Sequence, residues 1–187
     1  MSSSEVSLGN PVEAVTLGRV WRLLQDIPDP EIPPVSIVDL GMVRAVEWTD
    51  DSHGTLVVRI TPTYSGCPAT DLIVQCVRER LHEHGVASVT VEIALAPAWN
   101  TGWVTSEGRR KLREYGIAPP DAGQPSRGAV AIDVAGLGPL RRPQVTVPCP
   151  RCGARSTRLV AQFGSTACKA QYVCNDCLEP FDHFKQH

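Results

Sequence analysis

The chain has 187 residues, a formal net charge of −2 and 5% aromatic residues. Phosphate binding needs an excess of basic side chains and base stacking needs aromatic ones, so this composition argues against nucleic acid as the main partner. With 42% hydrophobic and 20% charged residues, the sequence is typical of a globular protein with one domain and an appendage. Neither a secretory signal nor an apolar run of membrane length is visible, so we expect a cytoplasmic protein without a membrane partner.

The first 117 residues alternate between helical and strand-like patterns. Apolar residues recur at helical spacing from Pro11 onwards, and the prolines at 28–34 then force an extended path. Turn residues at 50–54 lie between two strand-like runs and predict a hairpin. The predicted elements are helices over 11–24, 69–84 and 105–115, with Gly85 and Gly116 ending the last two, and strands over 42–48, 55–61 and 88–95.

This α-β-β-α-β-α order predicts an α/β (α+β) sandwich domain over residues 11–117, with a three-stranded sheet and helices on one side. The second and third strands are joined by a helix, so we expect them to be parallel or separated by one position. Prolines and glycines then accumulate over 118–147 and predict a linker, with a short strand at 130–134. A second unit follows at 148–187.

The second unit contains two C-x-x-C pairs separated by 21 residues. Each pair forms a tight turn, and two such turns together present four sulfurs in the tetrahedral arrangement that suits zinc. Strands at 158–162 and 170–173 would pair between them, which predicts a zinc ribbon whose metal is structural and supplies much of the folding free energy. The predicted ligands are Cys149, Cys152, Cys174 and Cys177.

Other interpretations of these cysteines stay open at this point. An iron–sulfur centre also uses four thiolates, and the four thiols are unligated in a third interpretation. Cys168 is left over, and it is either a small buried residue or a substitute ligand.

Cys67 lies where a strand-like run gives way to a helix. Gly66 would permit an unusual turn and Pro68 suits the first helical position, which predicts Cys67 as the N-cap. The helix dipole and unpaired amides would then lower the pKa of its thiol, although Asp71 would oppose this, and give a nucleophile or a soft metal ligand. The alternative is a thiol that only packs.

Several polar residues have weaker signals. Asp39, beside Gly41 in a turn, is expected to accept hydrogen bonds from backbone amides there. His82 and His84 are expected to cap a helix C-terminus, and His183 and His187 are expected to be solvated rather than bound to metal. No nucleophile–base–acid triad or phosphate loop can be identified.

Three motifs in the first unit resemble the iron–sulfur-assembly domain family. They are residues 29–33 (DPEIP), 37–43 (IVDLGMV) and 61–68 (TPTYSGCP), and the resemblance covers about residues 14–115. It implies that Cys67 is the reactive or cluster-binding thiol, and that Asp39, Gly41, Thr63 and Gly66 support it.

The second unit resembles the D-subunit family of bacterial phenylacetyl-CoA epoxidases at residues 163–170 and 174–185. The resemblance implies an accessory, non-catalytic role in aerobic phenylacetate breakdown. The multicomponent epoxidase uses a di-iron subunit and a reductase with flavin and a [2Fe–2S] cluster, and the D subunit is believed to help mature a metal centre in its partners.

The partners implied are therefore other epoxidase subunits or the reductase, and a homodimer stays open. Structural zinc is the expected cofactor, with iron or an iron–sulfur cluster bound transiently. A general iron–sulfur carrier with other clients fits the first unit equally well, and only the second unit favours the epoxidase. A thiol enzyme using Cys67 is a third hypothesis, but it lacks an identifiable base.

Overall fold

The computed structural model describes residues 15–50, 54–120 and 146–185. The start of the first predicted helix before residue 15, the hairpin turn at 51–53, the predicted strand at 130–134 and His187 lie outside the described residues. The predicted linker is described only at its two ends.

Helices and strands follow the predicted order over the first unit, and further strands appear after it. The helices are α1 (Leu17–Gln25), α2 (Thr70–Glu83) and α3 (Ser106–Tyr115). The strands are β1 (Val43–Trp48), β2 (Leu56–Ile60), β3 (Val89–Ile93), β4 (Ile117–Ala118), β5 (Thr157–Ala161), β6 (Lys169–Cys174) and β7 (Pro180–Phe184).

The first sheet has three strands in the order β1-β2-β3. The predicted hairpin is confirmed, because β1 and β2 are antiparallel with Val46 opposite Val58. The predicted crossover is confirmed as well, because β2 and β3 are adjacent and parallel, with Val58 opposite Val91. Helix α2 connects these strands and contacts both β3 and α1, as a parallel pair requires.

Helix α1 begins later than the sequence predicts. It starts at Leu17, where the Thr16 hydroxyl accepts a hydrogen bond from the backbone N–H of Arg19 at 3.3 Å. A side-chain oxygen at the N-cap satisfies an amide that has no partner within the helix. Thr16 therefore sets the start of α1, and Pro11, the residue predicted at the first helical position, lies outside the described residues.

A second sheet joins the two predicted units. Its order is β4-β7-β6-β5, and the predicted β5–β6 pair is confirmed as antiparallel. Strand β4 directly follows Gly116 and runs parallel to β7, with Ile117 opposite Asp182. The sequence did not reveal β4, because two residues are too short to show a period. The limits of the domains stay a prediction, but the described parts of both units share this sheet.

The two units also share an apolar core. Cys168 and Phe184, from the second unit, are buried in the same core as Leu24 and Ile73 of helices α1 and α2. The ring of Trp99 packs edge-on against Phe184, with ring centroids 5.7 Å apart. The ribbon strands are therefore fixed against the first unit by direct packing, in addition to the chain connection.

We expect Phe184→Ala to destabilise the whole described fold by about 3–5 kcal/mol, because it removes a fully buried ring and leaves a cavity. Phe163→Ala is the matched control, since Phe163 is 64% exposed and its ring lies 3.9 Å from the Lys185 ammonium, and it should cost about 1 kcal/mol or less. Denaturant unfolding followed by tryptophan fluorescence measures both values. Equal effects of the two substitutions would show that the units do not stabilise each other through this ring.

Candidate functional site

Two turns of the same construction present the four ribbon cysteines. In the first, the backbone N–H of Cys149 donates to the carbonyl of Ala154 at 2.9 Å, and in the second Cys174 donates to Glu179 at 3.0 Å. Each bond spans five residues and closes a loop around one C-x-x-C pair. The two pairs are therefore held by equivalent backbone geometry.

Each turn also contains one residue with positive φ directly after its second cysteine. These residues are Gly153 (φ 78°) and Leu178 (φ 64°). Glycine adopts this conformation without penalty, whereas a leucine there is strained. A strained backbone persists only where the surrounding structure imposes it, and here it allows the chain to wrap around the sulfurs.

The four sulfurs form a compact group. Their Sγ atoms all lie within 4.8 Å of one another, with 3.8 Å between Cys149 and Cys177 and 3.6 Å between Cys152 and Cys174. A tetrahedron with metal–sulfur bonds of about 2.3 Å has edges of about 3.8 Å, so one ion fits at its centre. A multinuclear cluster distributes four thiolates over two or four irons, which would hold some of the sulfurs further apart.

Backbone amides favour the charged form of one of these thiols. The N–H of Cys177 contributes most to lowering the pKa of Cys174 to about 7, burial opposes the shift, and the N–H of Asp176 adds to it. A metal binds the thiolate, so the lowered pKa of Cys174 makes more of this ligand available at neutral pH than an ordinary cysteine would offer.

Cys67 does not cap helix α2, contrary to the sequence prediction. The N-cap of α2 is Ala69, which makes no side-chain capping bond. Cys67 lies two residues earlier, in a turn where its N–H donates to the Tyr64 carbonyl at 3.2 Å. The Thr70 hydroxyl donates to the Cys67 carbonyl at 2.8 Å, so Cys67 belongs to the turn before the helix.

The predicted lowering of the Cys67 pKa is also wrong in direction. Burial raises the pKa of this half-buried thiol, and the backbone N–H of Ala69 only partly offsets the effect. The negative charge of Glu31 raises the pKa further. Cys67 is therefore a protonated thiol at neutral pH, which suits a ligand that exchanges its proton for a metal better than a free nucleophile.

The neighbours of Cys67 differ in how strictly the fold constrains them. Thr63 is buried, whereas Gly66 is exposed and not in the left-handed region, and a Cβ there would meet the Tyr64 ring at an ordinary 3.8 Å. The expectation that Gly66 permits an unusual turn is therefore wrong.

A cavity of about 220 Å³ lies beside Thr63 and is lined also by Leu95 and Trp99.

Asp39 connects three segments of the first unit through one buried carboxylate. Its Oδ2 atom lies 2.6 Å from the Lys111 ammonium of α3 and accepts the Ser36 N–H at 3.1 Å. Its Oδ1 atom accepts from the Gln25 side chain of α1 at 2.9 Å. The predicted backbone bonding of Asp39 is confirmed, and the two side-chain partners extend it.

These partners determine the charge state of Asp39. Burial alone would raise the pKa of its carboxyl group, but the hydrogen bond from Lys111 and the bonds from Ser36 and Gln25 outweigh it, so the pKa is lowered. Asp39 is therefore ionised at neutral pH and places a negative charge in the loop at residues 36–41.

Gly41 is required by the packing of this loop. Its φ is +67°, and a Cβ atom there would lie 2.3 Å from the carbonyl oxygen of Trp103. Both the conformation and the close approach exclude other residues. The Leu40 carbonyl next to it accepts a hydrogen bond from the Trp99 indole at 2.8 Å, so the loop is held against the ring that contacts Phe184.

Cys168 lies apart from the four-cysteine group. It is 3% exposed and directly precedes β6, whereas Cys174 ends that strand. Its Sγ atom lies 3.1 Å from the Thr166 hydroxyl and 3.4 Å from Glu31 Oε2 of the first unit. The interpretation of Cys168 as a small buried residue is confirmed by its position. Sequence reasoning assigned no role to Glu31, although Glu31 lies inside the DPEIP motif.

The histidines take up local roles. His82 and His84 pair through Nδ1 with the carbonyls of Val86 and Arg80, at 2.8 and 2.7 Å, near the end of α2. His183 packs edge-on against the Tyr172 ring at 5.7 Å. Within the described ranges, the four-cysteine group is the one set of three or more His, Cys, Asp or Glu side chains close enough to hold an ion.

Comparisons with known proteins match both units. The family model described as "PaaD zinc beta ribbon domain" matches residues 138–185, and that described as "Iron-sulfur cluster assembly protein" matches residues 18–93. In the described ranges no helix is long and apolar enough to cross a membrane.

Two relatives and one solved structure show how the similarity is distributed. The D subunit of the "Putative 1,2-phenylacetyl-CoA epoxidase" of Escherichia coli (strain K12) is 49% identical over 89% of this chain and 91% of its own length. "Fe-S protein maturation auxiliary factor" of Porphyromonas gingivalis is 35% identical over 50% of this chain and 87% of its own length. The crystal structure of a domain of unknown function from Bacillus anthracis is 28% identical, with a TM-score of 0.47, over 51% of this chain and 89% of that one.

The four-cysteine group should bind one metal ion per chain. We expect Cys174→Ser to lose this ion, because a hydroxyl is a much weaker ligand than a thiolate for soft metals. Cys76→Ser is the control, since Cys76 is a free thiol outside the group. Elemental analysis of purified protein measures the content, and a full equivalent retained by Cys174→Ser would contradict the assignment.

Asp39→Asn should destabilise the fold by about 2 kcal/mol at neutral pH, because it removes a charge-assisted hydrogen bond. Because the pKa of Asp39 is lowered on folding, its stabilisation is complete above the unfolded value of about 3.9 and is lost as the pH falls through the folded value. The difference between the two proteins should therefore shrink below about pH 4.

Glu114→Gln is the control for this measurement. It breaks the exposed pair between Glu114 and Arg110 on the same helix and should cost about 0.5 kcal/mol or less. Denaturant unfolding at several pH values tests both variants. A stability difference for Asp39→Asn that grows in acid would contradict the expected direction.

Proposed function

The chain belongs to the D-subunit family of phenylacetyl-CoA epoxidases, and from this premise we propose that it is an accessory subunit that helps mature a metal centre in its partner subunits. The observation that carries this proposal is that the similarity to the Escherichia coli relative spans 89% of the chain. A stretch of that length includes the loop with Cys67, and the PaaD zinc beta ribbon family model covers the four-cysteine ribbon.

In this proposal Cys67 is the ligand that handles the metal or cluster destined for a partner. Its thiol is half-buried and its pKa is raised by burial, so it stays protonated until a metal displaces the proton to solvent. The Asp39 network holds the neighbouring loop in place while the cargo is bound. The cargo itself is a substrate of this chain and not a resident cofactor.

The ribbon metal has a different role in this proposal. We assign it as zinc with a structural function, because the four sulfurs form a closed set with no open coordination position. The spacing of 3.6–3.8 Å between paired sulfurs supports a single ion. Purified protein should be colourless, and a brown protein with visible charge-transfer absorption would contradict the assignment.

A general iron–sulfur carrier is the second candidate function. The similarity to the Porphyromonas gingivalis maturation factor supports it, but that similarity covers only half of this chain. The ribbon, which packs on the first unit through Phe184, supports a dedicated client. A thiol enzyme is disfavoured, because burial raises the pKa of Cys67 and lowers the fraction of thiolate at neutral pH.

The proposed partners are other epoxidase subunits or the reductase that supplies them with electrons. We place this role in the cytoplasm, where reduced thiols persist; none of the seven cysteines forms a disulfide in the structure.

Cys67→Ser should abolish maturation while leaving the protein folded and abundant. A hydroxyl of similar size replaces the thiol, so we expect a stability change of about 1 kcal/mol or less, but a soft-metal ligand is lost. Cells in which this variant is the only source of the subunit should grow poorly on phenylacetate as the sole carbon source. Cys76→Ser is the matched control and should support normal growth.

The same cells distinguish the two candidate functions. If the client is dedicated, growth on other carbon sources and the activities of unrelated iron–sulfur enzymes should be unchanged by Cys67→Ser. A general loss of those activities would favour the carrier, and normal growth on phenylacetate would show that Cys67 is structural.

A further inference from the structure

Leu178 combines two features that the folding of the ribbon does not require. Its φ is 64°, in the left-handed region where a residue with a Cβ atom is strained. It is also 74% exposed, and among the described residues it does not belong to the apolar core of the ribbon. A single exposed leucine is ordinary in a folded protein, but a leucine that is both strained and exposed needs an explanation.

The equivalent position in the first cysteine turn shows what such a turn needs. Gly153 follows Cys152 there with a φ of 78°, and a Cβ atom on Gly153 would meet no atom within 4 Å. The position therefore has room for a side chain, and it is the backbone conformation that favours glycine. Leu178 adopts the same conformation with a strain that glycine would avoid, so the folding of the turn does not explain its side chain.

The second cysteine turn holds Leu178 in a fixed position. The backbone N–H of Cys174 donates to the Glu179 carbonyl at 3.0 Å and closes the loop that contains Leu178. The N–H of Asn175 donates to the Ser156 carbonyl at 2.8 Å, which connects the turn to the residue before β5. An apolar side chain on a preorganised turn loses little conformational freedom when a partner covers it.

The surface around Leu178 is acidic. Asp176 and Glu179 flank it and are both exposed, and the sequence from 174 to 182 contains no basic residue. Four thiolates carry more negative charge than one divalent ion neutralises, so a filled ribbon adds to this charge. A partner for this surface therefore needs positive side chains around an apolar pocket.

The first cysteine turn does not neutralise this surface through its equivalent residue. Arg151 occupies the position in the first turn that Asp176 occupies in the second. Its guanidinium is directed towards the end of α3, where Nη2 lies 2.6 Å from the place that a Cβ atom on Gly116 would take. The two turns of the ribbon therefore differ in charge as well as in the residue after their second cysteine.

We propose that Leu178 is the anchor of a docking surface, formed with Asp176 and Glu179, that binds an apolar pocket with a basic rim on another epoxidase subunit. This inference rests on the proposed function for the identity of the partner. Because the docking surface lies in the second unit and Cys67 lies in the first, recognition of the client and handling of the cargo use different residues.

Two substitutions of Leu178 separate docking from folding. Leu178→Gly removes both the side chain and the strain, so this variant should keep its metal and unfold at a denaturant concentration no lower than that of wild type. Leu178→Ala removes the side chain and keeps the strained conformation. Leu72→Ala is the matched control, since Leu72 is a 48% exposed leucine on α2.

Surface plasmon resonance with full-length, metal-loaded protein measures docking, with each of the other purified epoxidase subunits immobilised in turn. Wild-type protein and Leu72→Ala should bind one of these subunits with equal affinity. Leu178→Gly and Leu178→Ala should each weaken that binding by at least about tenfold. Glu179→Gln should slow association by about two- to fivefold and make binding less sensitive to salt.

Four outcomes would overturn the docking surface. The first is wild-type affinity in Leu178→Gly, and the second is a wild-type protein that binds none of the subunits. The third is loss of the metal from Leu178→Gly, because the leucine would then be part of the structure of the turn. The fourth is a wild-type dimer in sedimentation that Leu178→Gly converts to a monomer, because the occupant would then be a second copy of this chain.

The proposed function is tested separately. Cys67→Ser should dock as wild type does and still fail to support growth on phenylacetate. Growth that depends on Cys67 while Leu178→Gly docks normally would leave the proposed function standing and remove this inference.

Discussion

The buried carboxylate of Asp39 is the interaction on which the arrangement of the first unit depends. A single side chain accepts hydrogen bonds from α1, from its own loop and from α3, through Gln25, Ser36 and Lys111. The loop that Asp39 fixes also positions Trp99, because the Leu40 carbonyl accepts a hydrogen bond from the Trp99 indole. Trp99 in turn packs against Phe184 of the last ribbon strand. A chain of direct contacts therefore runs from one buried charge in the first unit to the second sheet.

A buried charge is a costly way to stabilise a fold, and its retention here has a structural reason. Removing a carboxylate from water costs several kcal/mol, and the Lys111 pair alone would not be expected to exceed that cost by much. An ionised carboxylate needs several hydrogen-bond donors, and here Gln25 of α1, Ser36 of the loop and Lys111 of α3 supply them, so we infer that the charge favours this arrangement of the three segments.

The local features of this fold are predictable from the sequence because their causes are local. The β1–β2 hairpin, helices α2 and α3 and the two C-x-x-C turns each follow from periodicity, turn residues or spacing within a short segment. The contacts that assemble the site are not local: Lys111 is 72 residues from Asp39 and Glu31 is 137 residues from Cys168. The errors at Cys67 have the same origin, because its pKa is raised by burial and by Glu31, and neither is visible in the neighbouring residues.

The two groups of thiols differ in a way that matches a division of labour within one chain. The ribbon sulfurs are held by two equivalent backbone turns and lie within 4.8 Å of one another, so an ion bound there would have four ligands and would contribute to folding. Cys67 is half-buried in a turn before α2, where the charge of Glu31 raises its pKa, and Glu31 itself contacts Cys168 of the second unit. Cys168 reaches this position only because it precedes β6, the strand that ends at the ribbon ligand Cys174.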